Sequence, residues 1–514
     1  MTSLRHKLAP PGSRREAIGR KIVQRIVVTS RRRGRIVWQR AIQAGRISLA
    51  PQLSEKAVRA LNDPATSYDV LCLPIIRWDF RFQRPQQLMR QFAEDGHRVF
   101  YLSDDFLLAR PAAVREIERN VFELRLPADA ATRAFQGDLA ATEVRRMSDG
   151  VARLRQLDSE VVRSSAFRRP FRSEYRLKPE LRTASHASEV LRRTIIIVQH
   201  PYWASLAEEL RRRFGWPIVY DCMDDHAGLC RNAGGARHIP SSGVLEDQLV
   251  RTADLTVATS DWLLARVTSR AQRTALVRNG VDYEHFAQVE PASAGCVPSS
   301  VGCVLARTPD SASGPTDRVV ASNHPTDCDH RAESGVVVGY YGAIAHWFDA
   351  RLVAELAKLR PNWRFELVGN TFSSDLSPLA GLSNVRLLGE LPYANLPRQL
   401  AHWHGCIIPF VRNELTEATN PVKVYEMLAA GMPVVAVDLP ELRPIARAGL
   451  IELADNAGGF AEQMERLLSA QSPASVAARR EFARHNTWRA RYRELSTAMG
   501  PLEDRLRAEP SEAA

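Results

Sequence analysis

The sequence predicts an α/β protein made of two doubly wound, parallel-sheet domains joined by a linker. Three observations lead there. At 514 residues the chain exceeds what one hydrophobic core usually serves. Strand-sized apolar runs alternate with helix-sized periodic segments in two separate blocks, as repeated βα units require. Between the blocks, residues 287–334 are dense in Ser, Pro, Ala, Thr and Asp and lack sustained periodicity, which marks a linker or insertion.

Taken in order, residues 1–66 read as a basic tail, disordered or lying on a membrane surface. Residues 67–286 form the first block. Its strands are expected at Val70 to Ile76, Arg98 to Leu102, Thr194 to Gln199, Pro217 to Tyr220, Leu255 to Ala258 and Ala275 to Arg278, with a helix over Pro85 to Ala93. Residues 111–190 resist assignment apart from a helix near Ala140 to Leu157 and an Arg-rich surface connection around Phe167 to Arg182. The second block, 335–485, has strands at Val336 to Tyr341, Arg364 to Val368, Val385 to Leu388, Gly405 to Ile408 and Pro433 to Ala436. Helices fit at Arg351 to Leu359, Leu396 to His402 and Val422 to Ala430. A helix over 486–506 and a frayed end at 507–514 complete the chain. Two such sheets facing across a cleft would bind ligands at the carboxyl ends of their strands.

The net charge of +12 is local. Residues 1–50 hold 13 of the 70 Lys and Arg but only one of the 58 acidic residues, Glu16, so the remainder is neutral. A nucleic-acid binder needs a basic folded face, and this neutral body supplies none. Within the tail, Ile18, Ile22, Val23, Ile26 and Val27 recur at helical spacing among Arg20, Lys21 and Arg25. Such a segment can lie on an anionic membrane surface, and it can equally be a solvated tail. Its Arg-rich, acid-poor start fits a transit peptide less well, and it has no continuous apolar core like a secretory signal. No apolar run is long enough to span a bilayer. Seven scattered cysteines suit a reducing, cytosolic setting, in the cytoplasm or at the inner face of its membrane. Cys296, Cys303, His324, Cys328 and His330 in the linker fit no compact zinc spacing.

Most of the chemical information lies in Asn420-Pro421-Val422-Lys423-Val424-Tyr425-Glu426-Met427-Leu428-Ala429-Ala430-Gly431-Met432-Pro433-Val434-Val435-Ala436. Pro421 suits a helix start, Gly431 ends the helix, and an apolar strand follows. Lys423 then lies in the first turn, where a cation beside the positive helix end makes a phosphate site. Glu426 lies one turn later on the same face, where a carboxylate can accept hydrogen bonds from ribose hydroxyls. A second segment is Gly339-Tyr340-Tyr341-Gly342-Ala343-Ile344-Ala345-His346-Trp347-Phe348-Asp349, a strand-to-helix turn in which Gly342 permits close backbone approach.

These two segments resemble the family 4 retaining glycosyltransferases, in the branch reading G-x-x-G-A-I-x-x-W-x-D and P-V-K-x-Y-E-x-L-A-A-G. Further similarity lies in Trp78-Asp79-Phe80-Arg81-Phe82-Gln83-Arg84-Pro85, in Gly96-His97-Arg98-Val99, in Ala253-Asp254-Leu255 and in Asn279-Gly280-Val281-Asp282. The resemblance covers about residues 70–105, 194–286 and 336–495. It implies the GT-B fold and transfer of a sugar from a nucleoside-diphosphate sugar to an acceptor hydroxyl with retention, the acceptor being a glycan or lipid-linked sugar of surface polysaccharide or glycolipid synthesis. It also implies no cofactor and no metal. The donor would be held by Gly342, Ala343, His346, Lys423 and Glu426. The family's first glutamate of E-x7-E falls on Ala418, its usual Arg on Ala343, and its usual Lys near Phe348 or Asp349, which leaves Lys423 as the main cation on the leaving phosphate.

Loops after first-block strands supply the acceptor side. His200, Asp221 and Asp224 are candidates to bind or polarise the attacking hydroxyl, which sheds a proton as it reacts. Trp78 and Arg84 are candidates to contact phosphate or acceptor, although an isolated Arg is more often a solvated charge. The Asp221-Cys222-Met223-Asp224 spacing also suggests a divalent cation, against the family's habit. Two other readings remain: a sugar-nucleotide epimerase, and a GT-B protein that binds a sugar nucleotide without turnover.

Overall fold

Runs such as Val-Leu-Cys-Leu and Thr-Ile-Ile-Ile-Val, apolar on both alternating faces, can only be satisfied as strands covered on two sides. The computed structural model describes residues 52–54, 68–108, 111–128, 135, 138–156, 190–226, 242–290, 335–371 and 374–508. The expected surface connection at 167–182, the basic segment of 1–50 and the linker cysteines and histidines lie outside the described residues. The chain divides into two compact units, Met1–Arg278 with Arg491–Ala514, and Asn279–Ala490.

The first unit is built on a nine-stranded sheet. Its strands are β1 (Gln52–Leu53), β2 (Asp69–Leu73), β3 (Val99–Leu102), β4 (Ala113–Glu118), β5 (Val121–Arg125), β6 (Thr194–Val198), β7 (Ile218–Cys222), β8 (Leu255–Ala258) and β9 (Thr274–Leu276). The spatial order is β1-β4-β5-β3-β2-β6-β7-β8-β9, parallel throughout except for the β4–β5 hairpin. Helices α1 (Arg84–Glu94), α2 (Ala141–Arg155), α3 (Ala204–Phe214), α4 (Ser242–Thr252) and α5 (Asp261–Thr268) connect or cover it. The direction of strand addition reverses between β2 and β6, so the carboxyl ends of these two strands form a switch point.

Two features here depart from the sequence expectation. The hairpin falls within the stretch left unassigned, because β4 mixes charged and apolar residues and is only partly buried. Asn120, at φ +60°, makes its turn, a conformation Asn tolerates. Gln52–Leu53, expected in the tail, pairs in parallel with Ala113 and Val114 as the sheet edge.

The second unit opens with α6 (Tyr283–Ala287) and holds a six-stranded, all-parallel sheet. Its strands are β10 (Val337–Tyr341), β11 (Arg364–Val368), β12 (Val385–Gly389), β13 (Gly405–Ile408), β14 (Val434–Ala436) and β15 (Glu452–Leu453). The order is β12-β11-β10-β13-β14-β15, the dinucleotide-fold order, with its switch point between β10 and β13. Around it lie α7 (Ala350–Leu359), α8 (Leu396–Leu400), α9 (Val422–Ala429), α10 (Ala457–Ser469) and α11 (Pro473–His485).

The unit boundary differs from the expected one. Asn279-Gly280-Val281-Asp282 and α6 belong to the second unit, not the first. Asn279 donates its backbone N–H to Asn420 Oδ1 (3.0 Å) and its side-chain amide to the Asn420 carbonyl (2.7 Å). Phe286 is fully buried in the second core. Val281 pairs in parallel with Thr487, where the returning chain begins α12 (Trp488–Ala508). From Arg491 onward α12 counts with the first unit, where the Tyr492 hydroxyl donates to Asp95 (2.8 Å) and Arg505 pairs with Asp254 (2.9 Å).

Among the described residues, no helix is long and apolar enough to cross a membrane. The second core is tight under β10, where a Cβ added at Gly339 would fall 1.9 Å from the Trp403 ring. Gly339→Ala should therefore cost about 1–3 kcal/mol or more, seen as a lower unfolding temperature.

Candidate functional site

In an open parallel sheet the crevice beyond the carboxyl ends at the switch point is the natural ligand position. In the second unit that means the ends of β10 and β13, and the residues singled out from sequence gather there. After Tyr341 the chain turns at Gly342 (φ +131°), a conformation costly for any side chain. A Cβ at this position would also lie 1.9 Å from Lys423 Cε and 2.6 Å from its Nζ. The Lys423 stem thus occupies the space a residue 342 side chain would need. Gly369 supports the turn from β11: at φ +154°, its added Cβ would meet the Gly342 carbonyl oxygen at 1.7 Å.

Lys423 sits in the first turn of α9, beside the helix's positive end. Its Nζ lies 6.0 Å from the Tyr340 ring centroid and 5.9 Å from that of Phe410, near the limit for attraction by an aromatic face. A cation at a positive helix pole favours anions there. The Gly342 turn leaves few backbone N–H groups outside the sheet. Gly342 donates its N–H to the Val368 carbonyl (2.9 Å) and Ile344 donates to Asn370 (2.9 Å), so Ala343 alone among the first three residues keeps an N–H off these ladders.

Glu426, one turn into α9, is buried, and the Tyr341 hydroxyl donates to its Oε2 at 2.8 Å. Burial pushes the Glu426 carboxyl up to about 7, while the Tyr341 hydrogen bond and the Lys423 charge pull it down and Asp282 pushes it up. Tyr341 and Asp282 were given no role from the sequence. Tyr341 looked like one more apolar strand residue, and Asp282 fell in the Asn279–Asp282 stretch assigned to the first block. Gly431 (φ +76°) ends α9. Ala418, where the family carries its first glutamate, is fully buried, while Glu414 is exposed and Glu417 lies 3.7 Å from Arg412. His346 follows in the same turn, half-buried. Burial lowers its pKa, and its Nε2 has no hydrogen-bond partner among the described residues.

The first-unit candidates behave differently. Arg84 and Asp221, proposed for phosphate and for acceptor, hold each other: Arg84 Nη2 lies 2.8 Å from Asp221 Oδ1, and both side chains are buried. Arg84 also donates to the carbonyls of Val277 (3.0 Å) and Arg278 (3.1 Å). This pair ties α1 and β7 to the end of the unit's last strand, so both groups expected to meet phosphate or acceptor are engaged with each other in this structure. Trp78 donates its indole N–H to Glu118 (3.3 Å) and packs edge-on against Tyr101.

His200 follows β6 and accepts the Tyr202 N–H at Nδ1 (3.0 Å). The ring proton must then sit on Nε2, making His200 a hydrogen-bond donor and not a base in this tautomer. Burial first, then His226 with ring centroids 4.7 Å apart, lowers the His200 pKa and keeps it neutral. Asp224 is partly exposed in the loop after β7, and its neighbour Asp225 pairs with Arg266 (2.9 Å). Among the described residues, no group of three or more His, Cys, Asp or Glu is arranged to hold a metal ion.

Residues 335–470 match the family model described as "Glycosyl transferases group 1". The "Putative teichuronic acid biosynthesis glycosyltransferase TuaH" of Bacillus subtilis (strain 168) is 24% identical over 303 residues, 56% of this chain and 68% of that one. Sucrose-phosphate synthase from Thermosynechococcus elongatus superposes with a TM-score of 0.55 at 15% identity, covering 86% of this chain and 99% of its own. Anabaena Alr3699/HepE in complex with UDP and glucose superposes with a TM-score of 0.50 at 13% identity, covering 84% and 99%. The fold is GT-B, with two Rossmann-like units, and residues 335–470 of the second unit are similar to the group 1 glycosyltransferases.

Removing one partner of the Arg84–Asp221 pair strands a buried charge. Asp221→Ala should cost about 3–5 kcal/mol of stability in denaturant titration, and Arg84→Met combined with Asp221→Leu should recover most of it.

Proposed function

We propose that the protein transfers a sugar from a nucleoside-diphosphate sugar to an acceptor hydroxyl with retention of anomeric configuration. The observation that carries this reading is the Lys423 ammonium lodged against the side-chain-free Gly342 at the β10–β13 switch point, with Glu426 one turn behind. Similarity to the group 1 glycosyltransferases over this same segment, and the UDP bound by the similar Anabaena protein, support it.

On this reading Lys423 and the Ala343 N–H neutralise the departing diphosphate, where negative charge grows in the transition state. Glu426 accepts from the ribose, and His346 lies beside the diphosphate. The acceptor hydroxyl attacks on the face the diphosphate leaves, and its proton passes to the departing phosphate oxygen, so no protein nucleophile is required. His200 donates from Nε2 to a sugar or acceptor oxygen, and Asp224 binds the acceptor. No metal or other cofactor takes part. The relationship to a teichuronic acid glycosyltransferase supports a surface-polysaccharide or glycolipid acceptor, and the basic tail suits work at the inner membrane face.

One observation favours a second reading, a sugar-nucleotide binder without turnover: the buried Ala418 replaces a glutamate that in the family contacts the transferred sugar. Incubation with a panel of nucleotide sugars and polyprenyl-linked or glycan acceptors separates the two. Glycosylated acceptor detected by mass spectrometry supports transfer. Retained nucleotide sugar without product supports the binder, and epimerised sugar would replace both.

Lys423→Ala should lower kcat roughly 10²–10³-fold, measured as nucleoside diphosphate released per enzyme in the presence of acceptor. The donor KM should also depend on pH. Glu426, raised to about 7, is protonated below that value and loses an acceptor site for the ribose hydroxyls. Donor KM should therefore fall as pH rises through about 7 and level off above it, and Glu426→Gln should flatten the profile.

A further inference from the structure

The Tyr341–Glu426 contact has no counterpart in the roles assigned so far. Glu426 is 6% exposed, and its Oε2 takes the Tyr341 hydroxyl at 2.8 Å. Its Oε1 accepts no hydrogen bond among the described residues. A buried carboxylate with one oxygen pinned and the other open has a single direction in which to accept.

Tyr341 is the last residue of β10, immediately before Gly342, and is 4% exposed. The phenol is held by the sheet, so it can fix the carboxylate at the same place where the backbone makes room for Lys423. We propose that Tyr341 is a positioning residue for nucleotide recognition: its hydroxyl clamps one oxygen of Glu426 so that the other meets the pentose hydroxyls of a nucleoside diphosphate. This rests on the donor-site reading given above.

Three groups face the carboxylate. Tyr341 comes from β10, Lys423 from its own helix α9, and Asp282 from the loop ahead of α6. Tyr393, stacked on His285 with centroids 4.5 Å apart, adds to the surroundings of the Tyr341 phenol. Tyr341 and Lys423 both favour the ionised carboxylate, Asp282 opposes it, and burial opposes it most. The phenol's own ionisation is pushed far above neutrality by burial and by Glu426, so Tyr341 remains a donor throughout the working range. Loss of its hydroxyl removes both the geometric clamp and one of the two influences that keep Glu426 charged.

The test is calorimetric titration of the full chain with UDP, GDP, ADP and dTDP, carrying forward the tightest binder across pH 5.5–9. Tyr341→Phe should weaken binding about 5–10-fold at pH 7. It should also move the pH midpoint of log Kd upward, and it should have no further effect in a Glu426→Gln background. A structural role alone would weaken binding equally at every pH. If Tyr341→Phe unfolds the chain, 3-fluorotyrosine at position 341 keeps the shape, donates more strongly and should move the midpoint downward.

Several outcomes overturn the proposal. An unmoved midpoint, or a Tyr341→Phe penalty that persists in the Glu426→Gln background, does so while leaving the donor site standing. Tight diphosphate binding indifferent to Glu426→Gln at every pH removes the ribose role of Glu426 and this proposal with it. Failure of the wild-type chain to bind any of the four nucleotides removes the donor-site reading itself.

Discussion

One restriction governs the β10 end of the second unit: a side chain at position 342 would be strained by its backbone and would displace Lys423. The backbone there has positive φ, and the volume a Cβ would fill belongs to Lys423. From that single restriction the rest follows in sequence. Gly369 must also lack a side chain, because its Cα rests on the Gly342 carbonyl. The helix bearing Lys423 must start close to the sheet edge, which the Asn279–Asn420 hydrogen bonds secure from one side and the Asn420 amide secures from the other by donating to Glu441 (2.8 Å). Glu426 is then carried inward by one helical turn to the end of the adjacent strand, where it meets Tyr341.

The two-block α/β organisation was legible because parallel strands covered on both faces leave unambiguous apolar runs. Leu255–Ala258, Arg364–Val368 and Gly405–Ile408 have the bounds read from sequence, and the remaining expected strands agree within a few residues. The β4–β5 hairpin was not legible, since half-buried antiparallel strands with charged residues resemble loops. Gln52–Leu53 was hidden for a simpler reason: two residues carry no periodicity. The unit boundary was misjudged because Asn279-Gly280 reads as a local turn, whereas what assigns it is a pair of hydrogen bonds to Asn420, 141 residues away.

The site divided along the same line. Lys423, Glu426 and Gly342 are positioned by a strand, a turn and a helix start, all of which local chemistry announces, and they converge. Arg84 and Asp221 each looked available because sequence shows one charge at a time. In the fold the two neutralise each other 137 residues apart, and the cost of leaving either one unpaired in the interior makes that arrangement compulsory. At His200 a backbone N–H two residues on fixes the tautomer, a contact the sequence does not display. Tyr341 was overlooked because a tyrosine in an apolar run reads as packing until its hydroxyl acquires an acceptor.

The parallel pairing of Val281 with Thr487 places the entry and exit of the second unit side by side. A segment whose two ends meet can be excised or replaced at a single seam without rethreading its host. Recombination could therefore exchange the whole unit between relatives while leaving the remainder of the polypeptide intact, so the two halves of the chain are free to evolve on separate clocks.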